Sequence, residues 1–225
     1  MEIIRRHVAD YISERDGNPA DWRNVMLCAG ASEGIRAVLK LMTNPGGDNV
    51  KRPGVMIPIP QYPLYSASLA EYNMEQVGYY LDEKRNWALD PQELQRAIKD
   101  GKKKCDVRAI VVINPGNPTG QVLTRANIES VIKFAYAEHL FIFADEVYQH
   151  NVYDQNSAFH SFKKVTTTTL WFKDDDLIYK VIAQVVMEMG FPYSEMEIAS
   201  FMSCSKGYMG ECGMRGNQGG PGAFM

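Results

Sequence analysis

The sequence Ser-Cys-Ser-Lys-Gly-Tyr-Met-Gly at residues 203–210 places one lysine, Lys206, among small residues directly after a β-rich run at residues 197–201. A lysine in this position is predicted to lie at the carboxyl end of a strand, with its amine projecting into a crevice. Partial desolvation there favours the neutral amine, whose lone pair can form a Schiff base with an aldehyde cofactor. A lysine beside glycine and serine is, however, more often a solvated loop residue, so the hypothesis depends on what lies upstream.

The upstream chain alternates between short apolar runs and amphipathic segments. This pattern predicts strands at residues 25–29, 55–60, 74–81, 108–113 and 140–144, and helices at residues 2–15, from residue 31, from residue 63, at residues 90–100 and from residue 125. Strand–helix alternation of this kind is typical of an α/β fold, with a mostly parallel sheet flanked by helices on both faces.

Two groups near the first predicted strands could contact a ligand. Residues 30–34, Gly-Ala-Ser-Glu-Gly, open a helix directly after a strand, where backbone N–H groups and the helix dipole favour a phosphate. The alternative, which this junction alone favours, is that Ser32 is only the N-cap of its helix. Tyr62 follows another strand and could stack on an aromatic ring, or simply pack in the core.

Polar side chains also follow the two later strands. The loop Asn-Pro-Gly-Asn-Pro-Thr-Gly at residues 114–120 is tight and stiff, and its Asn117 could offer an amide to a ligand oxygen. Asp145 ends an apolar strand, so its carboxylate is desolvated unless a cation such as a protonated ring nitrogen pairs with it. Tyr148 lies three residues on and could reach the same ligand. The alternative is that Asp145 is a capping residue and Tyr148 a core residue.

Composition excludes several classes of protein. With 225 residues, 45% of them hydrophobic, and a net charge of −3, the chain is an ordinary globular protein, with no basic surface for nucleic acid or an anionic membrane. The four cysteines and four histidines show no metal-ligand spacing. No apolar run reaches the length of a membrane span, and the amino terminus does not read as a targeting peptide. We therefore expect reduced cysteines and an intracellular location.

Three motifs together resemble the fold-type I pyridoxal-phosphate aminotransferases. They are the loop at residues 114–120, the Ala-Asp-Glu-Val-Tyr sequence at residues 144–148 and the Ser-Lys-Gly-Tyr-Met-Gly-Glu-Cys-Gly sequence at residues 205–213. Within that family, residues 57–65 and 159–165 are most similar to the alanine aminotransferase type. The resemblance covers residues 1–165 and 186–216.

The resemblance implies a role for each candidate residue. Lys206 would bind the cofactor as a Schiff base and carry a proton between the substrate Cα and the cofactor C4′, and Asp145 would keep the pyridine nitrogen protonated. Tyr148 and Asn117 would bind the phenolic oxygen, and Tyr62 would stack on the ring. The phosphate would be held by Ala31, Ser32, Ser203 and Arg215.

The chain departs from the family pattern in two regions. Residues 166–185 are an insertion relative to that pattern, and residues 217–225 are predicted to be a disordered tail. We expect residues 1–216 to form a partial large domain that binds pyridoxal phosphate. The carboxyl-terminal small domain, which supplies the substrate-carboxylate arginine in the family, and the amino-terminal segment that closes the active site are expected to be missing.

The resemblance implies a pyridoxal-phosphate-dependent enzyme that converts L-alanine and 2-oxoglutarate to pyruvate and L-glutamate. This chain is predicted to be a truncated, weakly active or inactive form of it. The alternative is a non-catalytic splice product that binds the cofactor or pairs with full-length subunits, and a lyase on the same fold is a third possibility. The resemblance implies a homodimer, small amino and oxo acids as partners, no nucleic acid or membrane partner, and a cytoplasmic or mitochondrial location.

Overall fold

The computed structural model describes residues 1–44, 50–165, 192–193, 196–206 and 223–224. The helices in this part of the chain are α1 (Glu2–Asp16), α2 (Ala31–Leu41), α3 (Leu64–Glu71), α4 (Pro91–Lys104), α5 (Arg125–Glu138) and α6 (Phe162–Val165). The strands are β1 (Leu27–Cys28), β2 (Pro53–Ile59), β3 (Glu75–Tyr80), β4 (Asp106–Ile113), β5 (Phe141–Asp145), β6 (Ile198–Ser203) and β7 (Ala223–Phe224). None of the described helices is both long and apolar enough to cross a bilayer.

The strands form one sheet in the order β1-β7-β6-β5-β4-β2-β3. The five strands from β2 to β6 pair in parallel, which confirms the predicted α/β architecture. Strand β7 is antiparallel to both β1 and β6, so β1 runs in the same direction as the parallel strands. The carboxyl ends of β1 and of the strands from β2 to β6 therefore lie at the same edge of the sheet.

Helices cover both faces of the parallel strands, as predicted. Side chains that point to one face, such as Met56, Ile110 and Ile142, pack with residues of α4 and α5 and with Phe162 of α6. Side chains that point to the other face, such as Ile57 and Phe143, pack with residues of α2 and α3. All five residues of β5 are buried. A strand buried on both sides reads as a continuous apolar run, which is why this strand was predictable from the sequence.

Two expectations change in the structure. The predicted buried strand at residues 25–29 is only the half-buried pair Leu27–Cys28, because Val25 packs against Val8 and Ala9 of α1 instead of extending the strand. In the predicted disordered tail, the two described residues, Ala223–Phe224, form β7, where they bridge β1 and β6. The insertion at residues 166–185 and the rest of the tail lie outside the described residues, and the division into domains stays a prediction.

Candidate active site

The carboxyl ends of β4, β5 and β6 lie side by side in the sheet. Asp145, the last residue of β5, is opposite Ile113 of β4 and opposite Phe201 of β6. The pairing continues one step past the strand ends, because the Asn114 N–H donates to the Asp145 carbonyl and the Glu146 N–H to the Phe201 carbonyl, both at 2.9 Å. The segments that follow β4 and β5 therefore leave the sheet at the same level, while β6 continues two residues further, to Ser203. Open parallel sheets bind their ligands at this edge.

Three of the predicted site residues lie together at this edge. The Asn117 side-chain amide donates a hydrogen bond of 3.3 Å to the Tyr148 hydroxyl. The Lys206 Nζ lies 5.9 Å from the centroid of the Tyr148 ring, which is within the range of a cation–π contact. Lys206 ends a short 3₁₀ turn, Cys204–Lys206, that follows β6 directly. The structure thus brings an amine, a phenol and an amide to one place, although their segments are far apart in the sequence.

The loop that carries Asn117 is held by its own first residue. Asn114 is fully buried, its side-chain oxygen accepts from the Leu123 N–H at 2.9 Å, and its side-chain nitrogen donates to the His160 carbonyl at 3.3 Å. Within the loop, the Gly116 N–H donates to the Gln121 carbonyl and the Gly120 N–H to the Gly116 carbonyl. Backbone and side-chain bonds of this kind leave the loop few alternative conformations, so the position of Asn117 is set before any ligand arrives.

The Asp145 carboxyl is buried and has only neutral hydrogen-bond donors in the described part of the chain. The Tyr65 hydroxyl donates to one oxygen at 2.8 Å and the Val147 N–H to the other at 3.4 Å. Burial raises the pKa of Asp145 from 3.8 to about 6, although both hydrogen bonds lower it. A buried carboxylate without a cationic partner is costly. The site therefore suits a ligand that presents a positive charge, such as a protonated ring nitrogen.

Replacing Tyr65 by phenylalanine is expected to destabilise the chain more at pH 8 than at pH 5. At pH 8 the Asp145 carboxyl is ionised, and loss of a hydrogen bond to a charged group costs about 1.5–3 kcal/mol. At pH 5 the carboxyl is protonated, and a neutral bond is worth about 1 kcal/mol. The measurement is urea unfolding at both pH values. The matched control is Tyr79→Phe, because Tyr79 is also buried but donates to a neutral group, the Val111 carbonyl, at 2.8 Å. Equal losses for Tyr65→Phe at the two pH values would contradict the expectation.

The amino terminus of α2 reaches the same edge of the sheet. Helix α2 follows β1, which runs parallel to β6, and it packs against β6. Gly30 is its N-cap, with φ of 141°, and Ala31 and Ser32 are its first two residues. The alternative that Ser32 is the N-cap is therefore wrong. Ser32 is exposed, and a hydroxyl together with the first N–H groups of a helix is an arrangement that can bind a phosphate.

The remaining predicted site residues are Ser203, Tyr62 and Arg215. Ser203 is the last residue of β6, and its hydroxyl lies 2.6 Å from that of Ser205 and accepts from the Ser205 N–H at 3.2 Å. Tyr62 lies between β2 and α3 with 48% of its surface exposed. Arg215 lies outside the described residues. The roles of Ser203, Tyr62 and Arg215 stay predictions.

The sequence analysis did not identify two buried side chains of this region, Tyr65 and Glu146. Tyr65 contacts Asp145 across 80 positions of sequence, and its place among the apolar residues of α3 marks it only as a core residue. Glu146 directly follows Asp145 and is fully buried. A second carboxylate at the end of a buried strand was visible in the sequence, but an acidic residue at a strand end is ordinarily exposed.

Sequence comparison assigns the chain to a known family. The model for "Aminotransferase class I and II" matches residues 3–206. The chain belongs to this family. Among curated proteins, it is 56% identical to alanine aminotransferase 1 of Bos taurus over 218 residues, which are 96% of this chain and 40% of the relative. It is 44% identical to the probable mitochondrial alanine aminotransferase of Dictyostelium discoideum, over 95% of this chain and 36% of that relative. The chain thus spans about 40% of the length of its curated relatives.

Solved structures show the same fold. An aminotransferase from Escherichia coli superposes on the whole of this chain with a TM-score of 0.72 at 22% identity, and the match covers 44% of that protein. The N-succinyldiaminopimelate aminotransferase of Mycobacterium tuberculosis superposes on 99% of this chain with a TM-score of 0.70 at 24% identity, and the match covers 47% of that protein. These matches confirm the parallel sheet and its helical layers as an aminotransferase fold.

Proposed function

We propose that this chain binds pyridoxal 5′-phosphate through Lys206 and provides the cofactor site of an alanine aminotransferase. The observation that carries the proposal is the cluster of Asn117, Tyr148 and Lys206 at the same edge of the sheet as the buried carboxyl of Asp145. This cofactor requires an amine that attacks its aldehyde, a carboxylate for its ring nitrogen and hydrogen-bonding groups for its phenolic oxygen. Among the described residues, the donors to the Asp145 carboxyl are both neutral.

Lys206 and Asp145 have the two chemical roles. The Nζ of Lys206 would attach the cofactor covalently and then move a proton between the substrate Cα and the cofactor C4′. The Asp145 carboxylate would hold the proton on the ring nitrogen, because an ion pair removes the cost of burying that carboxylate alone. When bound, pyridoxal phosphate supplies the electron sink that stabilises negative charge at the substrate Cα.

The other residues would orient the ring and hold the phosphate. Tyr148 and Asn117 would bind the phenolic oxygen and Tyr62 would lie against the ring face. For the phosphate, the amino terminus of α2 supports a contact because its N–H groups and dipole favour an anion. The residues proposed for that contact are Ala31, Ser32, Ser203 and Arg215, of which Arg215 would add charge-assisted hydrogen bonds.

The substrate class follows from the relatives' names. The curated relatives described above are alanine aminotransferases, and we infer the corresponding reaction for the protein of which this site is part: L-alanine and 2-oxoglutarate give pyruvate and L-glutamate. Pairing into a homodimer and a cytoplasmic or mitochondrial location remain predictions.

The test is chemical trapping of the bound cofactor. The 225-residue chain is mixed with pyridoxal phosphate, reduced with borohydride, digested and mapped by mass spectrometry. Reduction fixes the Schiff base as a stable amine, so we expect one stoichiometric adduct on the peptide that contains Lys206.

The internal controls are the surface lysines at the end of α4, Lys102, Lys103 and Lys104. These side chains are exposed, so they react with the free aldehyde only in proportion to its concentration. An adduct that is distributed over these lysines, with no preference for Lys206 at low cofactor concentration, would refute the proposal.

A further inference from the structure

Two consecutive carboxyl side chains, Asp145 at the end of β5 and Glu146 directly after it, point to opposite faces of the sheet. Asp145 lies on the face covered by α2 and α3, where it contacts Tyr65. Glu146 lies on the other face, where it contacts Phe162 of α6. The proposed chemistry uses Asp145 and leaves Glu146 without a role. A fully buried acid next to the cofactor site therefore requires a separate explanation.

Both oxygens of the Glu146 carboxyl have close donors. One accepts from the Phe162 N–H at 2.6 Å and the other from the Ser200 hydroxyl at 2.6 Å. The charged groups that face it are Arg15 and Asp16 of α1 and Lys163 of α6. Burial raises the pKa of Glu146 from 4.5 to about 7, while Arg15 and the two hydrogen bonds lower it. Glu146 thus ties the end of β5 to β6 and to α6.

The turn that follows is built on Glu146. The Gln149 N–H donates to the Glu146 carbonyl at 3.1 Å, and the Gln149 side-chain oxygen accepts from Arg15 at 2.7 Å. Arg15 in turn forms a bidentate ion pair with Asp16, with both N···O distances below 3 Å. Tyr148 lies within this turn, between Glu146 and Gln149. Its backbone is therefore anchored from the face of the sheet opposite to Asp145.

Asp145 and Tyr148 depend on these anchors to different degrees. Asp145 belongs to β5, and strand pairing on both sides fixes its backbone without any help from Glu146. Tyr148 lies beyond the last strand pair, and its ring can keep its contacts to Asn117 and Lys206 only if the turn keeps its shape. Loss of the hydrogen bonds of Glu146 should therefore displace Tyr148 and leave the position of Asp145 unchanged.

We propose that Glu146 is a positioning residue that holds Tyr148 against Asn117 and Lys206. This inference rests on the proposed function, because it concerns how tightly the same site holds pyridoxal phosphate. Such supporting hydrogen bonds keep a binding group within the narrow range of positions that its ligand requires.

A double-mutant cycle tests the proposal, with the dissociation constant of pyridoxal phosphate as readout. Glu146→Gln keeps the shape of the side chain, and the Ser200 hydroxyl can rotate to accept from the new amide, but the charge-assisted bonds are lost. Glu146→Gln and Tyr148→Phe are each expected to weaken binding about 10-fold, the lower end of the effect of losing a supporting hydrogen bond at a metal site. The double variant is expected to lose about 10-fold as well, since both changes remove the same contact.

The matched control pairs Glu146→Gln with Ser32→Ala. Ser32 belongs to α2 at the proposed phosphate contact, and α2 packs on the face of the sheet opposite to Glu146, so these two losses should multiply. The proposal would be overturned if the losses of Glu146→Gln and Tyr148→Phe also multiply, or if Glu146→Gln binds pyridoxal phosphate with wild-type affinity. Glu146 would then be a structural residue.

Hydrogen exchange of the cofactor-free chain separates this proposal from the proposed function. Faster exchange in Glu146→Gln that is confined to residues 146–151 supports the positioning role. It does so even if the wild-type chain fails to bind pyridoxal phosphate. That failure would refute the proposed function but not the positioning role. Unchanged exchange there, or faster exchange that extends equally into α4 and α5, would overturn the positioning role.

Discussion

Replacing Asp145 by asparagine is expected to raise the free energy of unfolding at pH 8 by about 3 kcal/mol, at 1.36 kcal/mol for each unit of pKa difference. Burial raises the pKa of Asp145 in the folded chain from 3.8 to about 6. Because the folded value is the higher one, the associated stability is fully present below about pH 4 and is lost as the pH rises through about 6. Asparagine keeps an oxygen for the Tyr65 hydroxyl and gives up only the long 3.4 Å bond from the Val147 N–H. It carries no charge, so the loss of stability at high pH disappears.

The same substitution is expected to weaken cofactor binding, in the opposite direction to its effect on stability. Loss of a hydrogen bond between charged groups costs roughly 10- to 100-fold in affinity, and Asp145 is the proposed partner of the ring nitrogen. The measurements are urea unfolding between pH 4 and 8 and titration with pyridoxal phosphate. A gain in stability together with a loss of affinity would identify Asp145 as a residue that is kept for binding at a cost to the fold.

The control for this prediction is Asp90→Asn. Asp90 is the N-cap of α4, and the Gln92 N–H and Arg85 lower its pKa. Asparagine caps a helix as well as aspartate does, so the variant is expected to lose a little stability at pH 8 and to bind the cofactor normally. Destabilisation by Asp145→Asn at pH 8 would show that the buried carboxylate does not destabilise the fold, contrary to what its raised pKa implies.

Replacing Lys206 by alanine is expected to abolish the covalent adduct with pyridoxal phosphate. Only a neutral primary amine adds to the aldehyde to form a Schiff base, and Lys206 is the lysine next to Tyr148 and Asn117. The visible absorbance band of the Schiff base and the borohydride-stable adduct should both be missing, while weak non-covalent binding through the phosphate contact should remain. Absorbance titration and intact-mass measurement after reduction check both expectations.

Two further variants control for charge and for chance reaction at lysine. Lys206→Arg keeps the positive charge but has no amine that can add to the aldehyde, so it should behave as Lys206→Ala does. Lys164→Ala removes a lysine of α6, a helix that packs on the face of the sheet opposite to α2 and α3, and should retain the adduct in full. A full adduct in Lys206→Ala would contradict the assignment of the cofactor site.

Much of the fold was predictable because its central strands are continuous apolar runs. Strands β4 and β5 are buried along nearly their whole length, and their runs appear in the sequence almost where the strands lie. The first strand was not predictable in detail. Whether Val25 extends a strand or packs beneath α1 is decided by tertiary contacts, and local sequence carries no information about them.

The site was predictable as far as it depends on strand ends. The placement of Asn117, Asp145, Tyr148 and Lys206 at the carboxyl edge follows from the strand–helix alternation and the rule that such edges bind ligands. The partner of Asp145 did not follow, because Tyr65 reaches it from α3, a helix 80 positions away in the sequence. Glu146 was overlooked since its two donors, on β6 and α6, become its neighbours only after folding.

The pairing of β5 with β6 has a consequence for the order of folding. These neighbouring strands are separated by a long stretch of chain, and contacts between such distant segments carry a high cost of loop closure and form slowly. Strands β2, β3 and β4 are closer together in sequence and can associate earlier. Lys206 reaches Tyr148 only once β6 has joined the sheet, so capture of the cofactor would report the completion of folding in a stopped-flow experiment.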